Sequence, residues 1–283
     1  MFTDGFALPM SRVRALVIAS HPGPSLAITA MATLLAAQAA PHGPGPALVA
    51  PAMLAGQFSV GWSNDAFDAR RDAAAGRTDK PVATGAISAR AVWIAAAAAL
   101  AAGLAMALAI SVATFLILGV VIGAAWAYNA GLKATLASGL MYVAGFGPIP
   151  AYAASTLPGH PWPAWPVTVA AAAVGLGAHF ANVLPDLAGD RATGVNGLPQ
   201  QVAARWGAGA VRAIALALLL LASVLLLAAA SPARRWIAVA GLAAAALLGL
   251  IGARSSGRVP FLAAIGIAAI DVALFAAGGE TLT

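Results

Sequence analysis

The 283-residue chain has no cysteine and few charged residues. The absence of cysteine excludes a disulfide framework, a thiolate zinc site and a cysteine nucleophile. Charged residues make up 8% of the chain and hydrophobic residues 61%, whereas a soluble domain carries roughly 25% charged residues. The composition therefore predicts an integral membrane protein, with the lipid bilayer as its first partner.

Acidic residues are fewer than basic residues, with nine Asp and Glu against fifteen Lys and Arg. The basic residues are scattered in short loops, so we expect the excess to reflect topology and substrate charge, with no nucleic acid as a partner. If the N-terminus lies in the cytoplasm, Arg234 and Arg235 are the only Lys or Arg residues on the opposite side of the membrane. This bias predicts a multi-pass protein of the inner (cytoplasmic) membrane.

The chain divides into nine apolar segments of helix length, counted with roughly 20 residues per span. They lie near 14–39, 46–66, 90–109, 111–129, 134–154, 164–184, 207–229, 232–252 and 259–277. The boundary near Ile110 rests on length alone. The first segment is longer than a signal-peptide core and contains Pro22 and Pro24, so we expect a membrane span there. The predicted fold is all-α, a polytopic membrane bundle of nine transmembrane helices.

Two clusters of polar side chains follow apolar segments at helical spacing. The second segment ends in Asp65, Asp68 and Asp72, and the sixth in Asn182, Asp186 and Asp190. Within each cluster the side chains share one helix face. Because crowded carboxylates repel one another without a cation between them, the spacing predicts a divalent-cation site. The clusters are four helices apart, which suggests pseudo-repeat halves that face a shared cavity at the cytoplasmic side.

Mg²⁺ binds through a few carboxylates and shares its other positions with substrate phosphates. Two facing carboxylate clusters would therefore hold a diphosphate through bridging Mg²⁺. Basic residues in cytoplasmic loops or at helix ends would complete the neutralisation of the diphosphate: Arg70, Arg71, Arg77, Lys80, Lys133 and Arg191. A diphosphate group bound inside an apolar helix bundle implies that the rest of the substrate is hydrocarbon. The predicted substrate is an isoprenyl diphosphate, and the predicted chemistry is its ionisation to an allylic carbocation.

These residues resemble the UbiA superfamily of intramembrane prenyltransferases. The family's signature pair, N-D-x-x-D-x-x-x-D and D-x-x-x-D, is matched by Asn64 to Asp72 and by Asp186 to Asp190. Lys80 to Ser88 is similar to the family's R-P-x-x-S-G-x-I-S, and Tyr128 to Lys133 is similar to its Y-S…K. The resemblance covers residues 14–277 and implies one UbiA-like domain over 1–283.

Three positions depart from the family pattern. Lys80 stands where Arg is usual, and Asn196 to Leu198 replaces a common K-T-L. His21-Pro22 stands where many members have Arg-Pro. These departures bear on phosphate contacts and on the acceptor.

The resemblance implies two Mg²⁺ ions and a set of site residues. The catalytic and metal-binding residues would be Asp65, Asp68 and Asp72 for one ion, with Asp186 and Asp190 for the other. The substrate-binding residues would be Asn64, Arg77, Lys80, Tyr128, Lys133, Asn182 and Arg191. The polar loops that follow the two motifs would close over the site and exclude water.

The reaction and its acceptor stay open at this point. Transfer to an aromatic or other membrane-proximal acceptor is the leading hypothesis, and a UbiA-type membrane terpene cyclase shares the same ionisation. A divalent-cation transporter would use the same acids but needs a polar path across the membrane. Sequence does not assign the acceptor, the donor chain length, the oligomeric state, or the roles of His179 and Asp271.

Overall fold

A computed structural model describes residues 10–39, 43–185, 187, 189, 194–255 and 257–278. These residues form helices and connecting turns, and no strand occurs among them. The helices are α1 (Arg12–Ala19), α2 (Pro22–Ala39), α3 (Gly45–Ala74), α4 (Ala89–Ile110), α5 (Val112–Asn129), α6 (Ser138–Phe146), α7 (Ile149–Ala154), α8 (Trp165–Val183), α9 (Leu198–Ala229), α10 (Arg235–Arg254) and α11 (Val259–Gly278). A short 3₁₀ turn, Leu132–Ala134, follows α5.

Six of these helices are long and apolar enough to cross a membrane: α4, α5, α8, α9, α10 and α11. The bent pair α1 and α2 makes a seventh if it is counted as one span. The helix α3 has thirty residues but ends in the polar cluster, and α6 and α7 have nine and six residues. The chain is thus a polytopic helical protein, while the predicted count of nine spans is not confirmed.

Several predicted boundaries were wrong, and each has a backbone cause. The first segment is not one helix, because α1 and α2 meet at a 56° bend at His21. His21 precedes Pro22 and has a φ of +50°, and a residue before proline is pushed out of the helical region. The fifth segment is divided at Gly147 and Pro148, between α6 and α7, where Pro148 has no backbone N–H to continue the helix. The predicted seventh helix starts earlier, at Leu198, and is interrupted at Gly207, whose φ is +82°.

The helix α3 extends beyond the predicted end of its apolar segment. We expected the apolar segment to end near residue 66, but α3 continues to Ala74. No proline or glycine lies between residues 66 and 74, and Arg71 pairs with Asp68 one turn before. All three aspartates of the first cluster therefore lie on regular helix.

The boundary near Ile110 is confirmed, and a cap explains it. Ser111 is extended (φ −168°, ψ 161°) and its hydroxyl accepts a hydrogen bond from the Thr114 backbone N–H at 3.0 Å. A serine in this position satisfies an N–H that has no partner within the helix. The signal was present in the sequence as Ser followed three residues later by Thr.

The helix α3 lies at the centre of the arrangement that positions the site, packed against α2, α4 and α5. Gly61 lets α3 approach the bend between α1 and α2 very closely. A Cβ at Gly61 would lie 2.2 Å from the Ser20 carbonyl oxygen. This approach brings His21 beside the first aspartate cluster.

Candidate active site

The three aspartates of α3 are buried, with Asp65 2%, Asp68 7% and Asp72 5% exposed. Their i, i+3 and i+7 spacing places them on one helix face, as predicted from sequence. Buried carboxylates need cationic or hydrogen-bonding partners, because desolvation penalises an isolated charge strongly. The partners come from different parts of the chain.

Asp65 is held by a lysine and a histidine. Lys80 Nζ donates to Asp65 Oδ1 at 2.7 Å, and His21 Nε2 lies 2.8 Å from the same oxygen. His21 Nε2 also lies 3.1 Å from Lys80 Nζ, so the imidazole tautomer determines which of the two it bonds. The other carboxylate oxygen, Oδ2, is buried without a hydrogen-bond partner among the described residues. Asp65 thus keeps one oxygen available.

Asp68 is paired on both of its oxygens. Lys133 Nζ donates to Oδ1, and Arg71 Nη2 lies 2.8 Å from Oδ2. Arg71 Nη2 also lies 3.6 Å from Asp72 Oδ1. Burial lowers the pKa of Lys133, and the charge of Asp68 partly opposes this shift. The two cations offset the negative charge of this helix face in the ligand-free protein.

A network of asparagines fixes the end of α5 against α3. Asn64 Nδ2 donates to Asn129 Oδ1 at 3.2 Å, and Asn129 Nδ2 donates to Ser63 Oγ at 2.9 Å and to the Val60 carbonyl at 3.0 Å. Asn129 is buried, so these bonds satisfy an amide that water does not reach. The network places the turn that carries Lys133 next to Asp68.

His179 of α8 belongs to a second network on the opposite wall. His179 Nε2 lies 3.0 Å from Ser138 Oγ, which also accepts the Leu198 backbone N–H at 2.9 Å. The imidazole stacks on Tyr142 with ring centroids 4.3 Å apart. Ser138 therefore joins α6, α8 and α9, and His179 forms part of the wall of the polar cavity.

Two adjoining cavities lie between these walls. The first, which we call the polar cavity, has a volume of about 260 Å³. Its lining includes the charged side chains Asp68, Arg71, Asp72, Arg77, Lys80 and Lys133. The second, the apolar cavity, has a volume of about 320 Å³ and reaches Ile28, Val121 and Phe146. Both are lined by Asn64, Tyr128, Tyr142 and Asn182, so a charged compartment adjoins an apolar one.

The donor set of the polar cavity fits a hard divalent cation that also binds a phosphate. No group of three His, Asp or Glu side chains converges within the described part of the chain. Mg²⁺ does not need such a group, since it commonly uses one or two carboxylates with waters and substrate oxygens. Asp68 and Asp72 line the cavity, and Asp65 offers a buried oxygen without a partner.

The structure brings most of the predicted site residues to the polar cavity. Eight of them line it: Asn64, Asp68, Asp72, Arg77, Lys80, Tyr128, Lys133 and Asn182. Asp65 lies behind this lining, between His21 and Lys80. Arg77 forms two hydrogen bonds to Asp79, at 2.8 and 2.7 Å, and holds the pKa of Asp79 at about 2. Three predicted residues lie outside the described part of the chain: Asp186, Asp190 and Arg191.

Sequence reasoning missed several residues of the site. Asn129 lies inside the stretch that resembles the family motif, yet its role depends on Asn64, 65 residues away in sequence. Gln200 lines the polar cavity from the start of α9 without any motif to indicate it. His21 was noted only as a departure from the family pattern, and no local signal connects it with Asp65.

Comparison with known proteins identifies a family at the level of sequence. The model of the UbiA prenyltransferase family matches residues 25–275. No curated protein matches the chain.

Solved structures with the same fold cover nearly the whole chain. One, from work on digeranylgeranylglyceryl phosphate synthase in membranes, has a TM-score of 0.70 at 17% identity and covers 95% of this chain and 99% of that chain. A UbiA homologue from Archaeoglobus fulgidus bound to GPP and Mg²⁺ has a TM-score of 0.69 at 18% identity, with coverage of 92% and 98%. An apo UbiA homologue from Aeropyrum pernix K1 has a TM-score of 0.66 at 19% identity, with coverage of 92% and 98%.

Proposed function

The chain belongs to the UbiA prenyltransferase family, and from this membership we propose that it is a Mg²⁺-dependent intramembrane prenyltransferase. It would ionise an isoprenyl diphosphate and transfer the prenyl group to an aromatic or other membrane-proximal acceptor. Its active site would face the cytoplasm, in line with the distribution of Lys and Arg.

One observation carries the proposal: the polar cavity adjoins the apolar cavity, and the two share the lining residues Asn64, Tyr128, Tyr142 and Asn182. A prenyl diphosphate has the same division, with a highly charged head and a hydrocarbon tail. The head would bind among the charged side chains, and the tail would extend toward Ile28. A transporter would instead need a polar path through the apolar part.

The diphosphate would be bound by the cations that now neutralise the aspartates. Lys133 and Lys80 line the polar cavity with Arg71 and Arg77, and ammonium and guanidinium groups form strong charge-assisted hydrogen bonds to phosphate oxygens. Asn64 would add a neutral donor. Together these groups would orient the head with the first prenyl carbon at the boundary between the cavities.

Two Mg²⁺ ions are the proposed cofactor. Asp65, Asp68 and Asp72 would hold one ion, and Asp186 and Asp190 would hold the other. When bound, the ions would supply charge stabilisation for the departing diphosphate. A structure of a UbiA homologue bound to GPP and Mg²⁺ supports Mg²⁺ as the metal.

The chemical step is heterolysis of the bond between the first prenyl carbon and the diphosphate oxygen. The electron pair leaves with the diphosphate, and an allylic carbocation remains at the boundary of the cavities. Lys133 and Lys80 would stabilise the charge that develops on the leaving oxygen. Tyr128 and Tyr142 line both cavities, and their aromatic rings would stabilise the cation. The acceptor then supplies the electron pair of the new bond and loses a proton.

Conservative variants of the two motifs test the proposal. We expect Asp68→Asn and Asp190→Asn each to lower Mg²⁺-dependent diphosphate release by about 10³-fold, since each removes a charge that stabilises the transition state. Asp271→Asn is the matched control, because Asp271 is buried beside Ser223 and lines neither cavity. Release would be measured from purified protein with several prenyl diphosphates, with Mg²⁺ or with chelator.

Mass spectrometry of the organic products separates transfer from cyclisation. A prenylated acceptor supports the transferase, and a cyclic product formed from donor alone assigns the alternative, a membrane terpene cyclase. Prenyl transfer that persists in the double variant Asp68→Asn and Asp190→Asn would refute the proposed chemistry.

A further inference from the structure

A third cavity, which we call the arginine cavity, lies apart from the candidate active site. It has a volume of about 250 Å³ and lies where the end of α8, the part of α9 after its break, and the connection from α10 to α11 meet. Leu184, Arg212, Arg258 and Phe261 are among its lining residues. None of its lining residues lines the polar or the apolar cavity. It is therefore a separate site.

Two arginines share this cavity, and neither has an acidic partner among the described residues. Arg212 is half-buried and donates one hydrogen bond, from Nη1 to the Ser255 carbonyl at 2.8 Å. Arg258 is exposed. Within the ranges described, neither guanidinium pairs with a carboxylate, whereas Arg71 and Arg77 both do. Guanidinium groups form several hydrogen bonds in a planar fork, and most of those of Arg212 remain available.

Membrane topology alone does not explain why two arginines lie at one cavity. An excess of Arg at one membrane face follows from the positive-inside rule, which places charges in loops but does not gather them around a cavity. Two like charges at one cavity repel each other unless an anion lies between them. A cavity with two guanidinium groups that no described carboxylate neutralises therefore points to an anionic ligand.

The backbone around the cavity is favourable to the same kind of ligand. The part of α9 after Gly207 begins at Ala208, and α11 begins at Val259, so both helices start at this cavity. The positive ends of two helix dipoles thus add to the charge of the arginines. A Cβ at Gly209 or Gly257 would meet no atom within 4 Å, so the backbone there is open to an approaching group.

We propose that the arginine cavity binds a phosphate-bearing anion. Arg212 and Arg258 would hold its oxygens in charge-assisted hydrogen bonds. The group that both possible ligands share is a phosphate, supplied either by the headgroup of an anionic phospholipid or by a soluble phosphate. Leu184 and Phe261 form an apolar part of the lining. Its volume lies just below the usual range for small-molecule pockets, which suits a headgroup or a phosphate.

The lipid source is tested by reconstituting the whole protein into vesicles of phosphatidylcholine with or without phosphatidylglycerol, followed by native mass spectrometry. We expect the wild type to retain phosphatidylglycerol, and Arg212→Gln and Arg258→Gln each to lower its affinity about tenfold, as for the loss of one charged hydrogen bond. Arg90→Gln is the matched control, because Arg90 is exposed and lines none of the cavities.

The soluble source is tested on delipidated protein in a neutral detergent by thermal unfolding with inorganic phosphate. Stabilisation that Arg258→Gln abolishes and Arg90→Gln retains would assign the site to a soluble phosphate. Arg258 is exposed, so its replacement should leave the fold intact even if Arg212→Gln loses the bond to Ser255. If neither lipid retention nor phosphate stabilisation depends more on Arg212 and Arg258 than on Arg90, the proposal is wrong.

Discussion

Replacement of Lys80 by methionine should destabilise the ligand-free protein, because it removes the main partner of the buried carboxylate of Asp65. Lys80 Nζ lies 2.7 Å from Asp65 Oδ1, and the side chains are 14% and 1% exposed. Removal of one partner from a buried ion pair lowers the free energy of unfolding by about 3–5 kcal/mol. His21 remains 2.8 Å from Asp65, so we expect the lower end of this range, about 3 kcal/mol.

The chain supplies two matched variants for this measurement. Lys80→Arg keeps the charge and should lower the free energy of unfolding by less than Lys80→Met does. Arg70→Met removes a positive charge from the exposed side of α3 and serves as the control. Unfolding in detergent with denaturant can be followed by the fluorescence of the seven tryptophans. If Lys80→Met and Arg70→Met agree within about 0.5 kcal/mol, the ion pair does not stabilise the protein as the structure implies.

The same variant tests whether Asp65 binds a metal ion. In the ligand-free protein Lys80 and a divalent cation compete for the carboxylate of Asp65. Lys80→Met should therefore bind Mg²⁺ more tightly than the wild type, and added Mg²⁺ should restore part of its stability. A loss of stability that is identical with and without Mg²⁺ would make Asp65 a structural residue and leave Asp68 and Asp72 as the ligands of the first ion.

Three further predictions concern other contacts of the site. Lys133→Ala should lower the rate of diphosphate release by about 10²–10³-fold and also lower the free energy of unfolding, since Asp68 loses a buried partner, while Lys133→Arg should restore part of the rate, as measured by single-turnover kinetics. Gly61→Ala should prevent stable folding, because its Cβ would lie 2.2 Å from the Ser20 carbonyl, whereas Gly119→Ala should unfold at or above the wild-type temperature, since no atom lies within 4 Å. Asn129→Ala should lower the free energy of unfolding by about 1–3 kcal/mol, because buried partners lose their hydrogen bonds; an unchanged value would refute the role of that network.

The part of the site that depends on local geometry could be predicted from sequence. The spacing of Asp65, Asp68 and Asp72 fixes their common face as soon as the segment is helical, and the structure places them so. The bend at His21 could also have been predicted, since the following residue is a proline. Hydropathy alone conceals it, because an apolar segment keeps its mean hydropathy across a change of backbone direction.

The part that depends on contacts between distant segments could not be predicted. Asp65 is paired with His21, 44 residues before it, and Asp68 with Lys133, 65 residues after it. Positive charges in a membrane protein have a common explanation in topology, so sequence does not distinguish a basic residue that reaches a buried carboxylate from one that faces solvent. Arg70 and Arg71 are neighbours in the chain, yet only Arg71 pairs with the aspartate cluster.

These distant pairs have a consequence for the order of ligand binding. The cations that hold Asp65 and Asp68 are Lys80 and Lys133, which are also the groups best placed to bind a diphosphate. A metal ion alone must displace them from the carboxylates and leave buried ammonium groups without a partner, which is unfavourable. A diphosphate that arrives with the metal gives both lysines a new partner in the same step. We therefore expect Mg²⁺ and the diphosphate to bind cooperatively, with each raising the affinity of the other by the same factor.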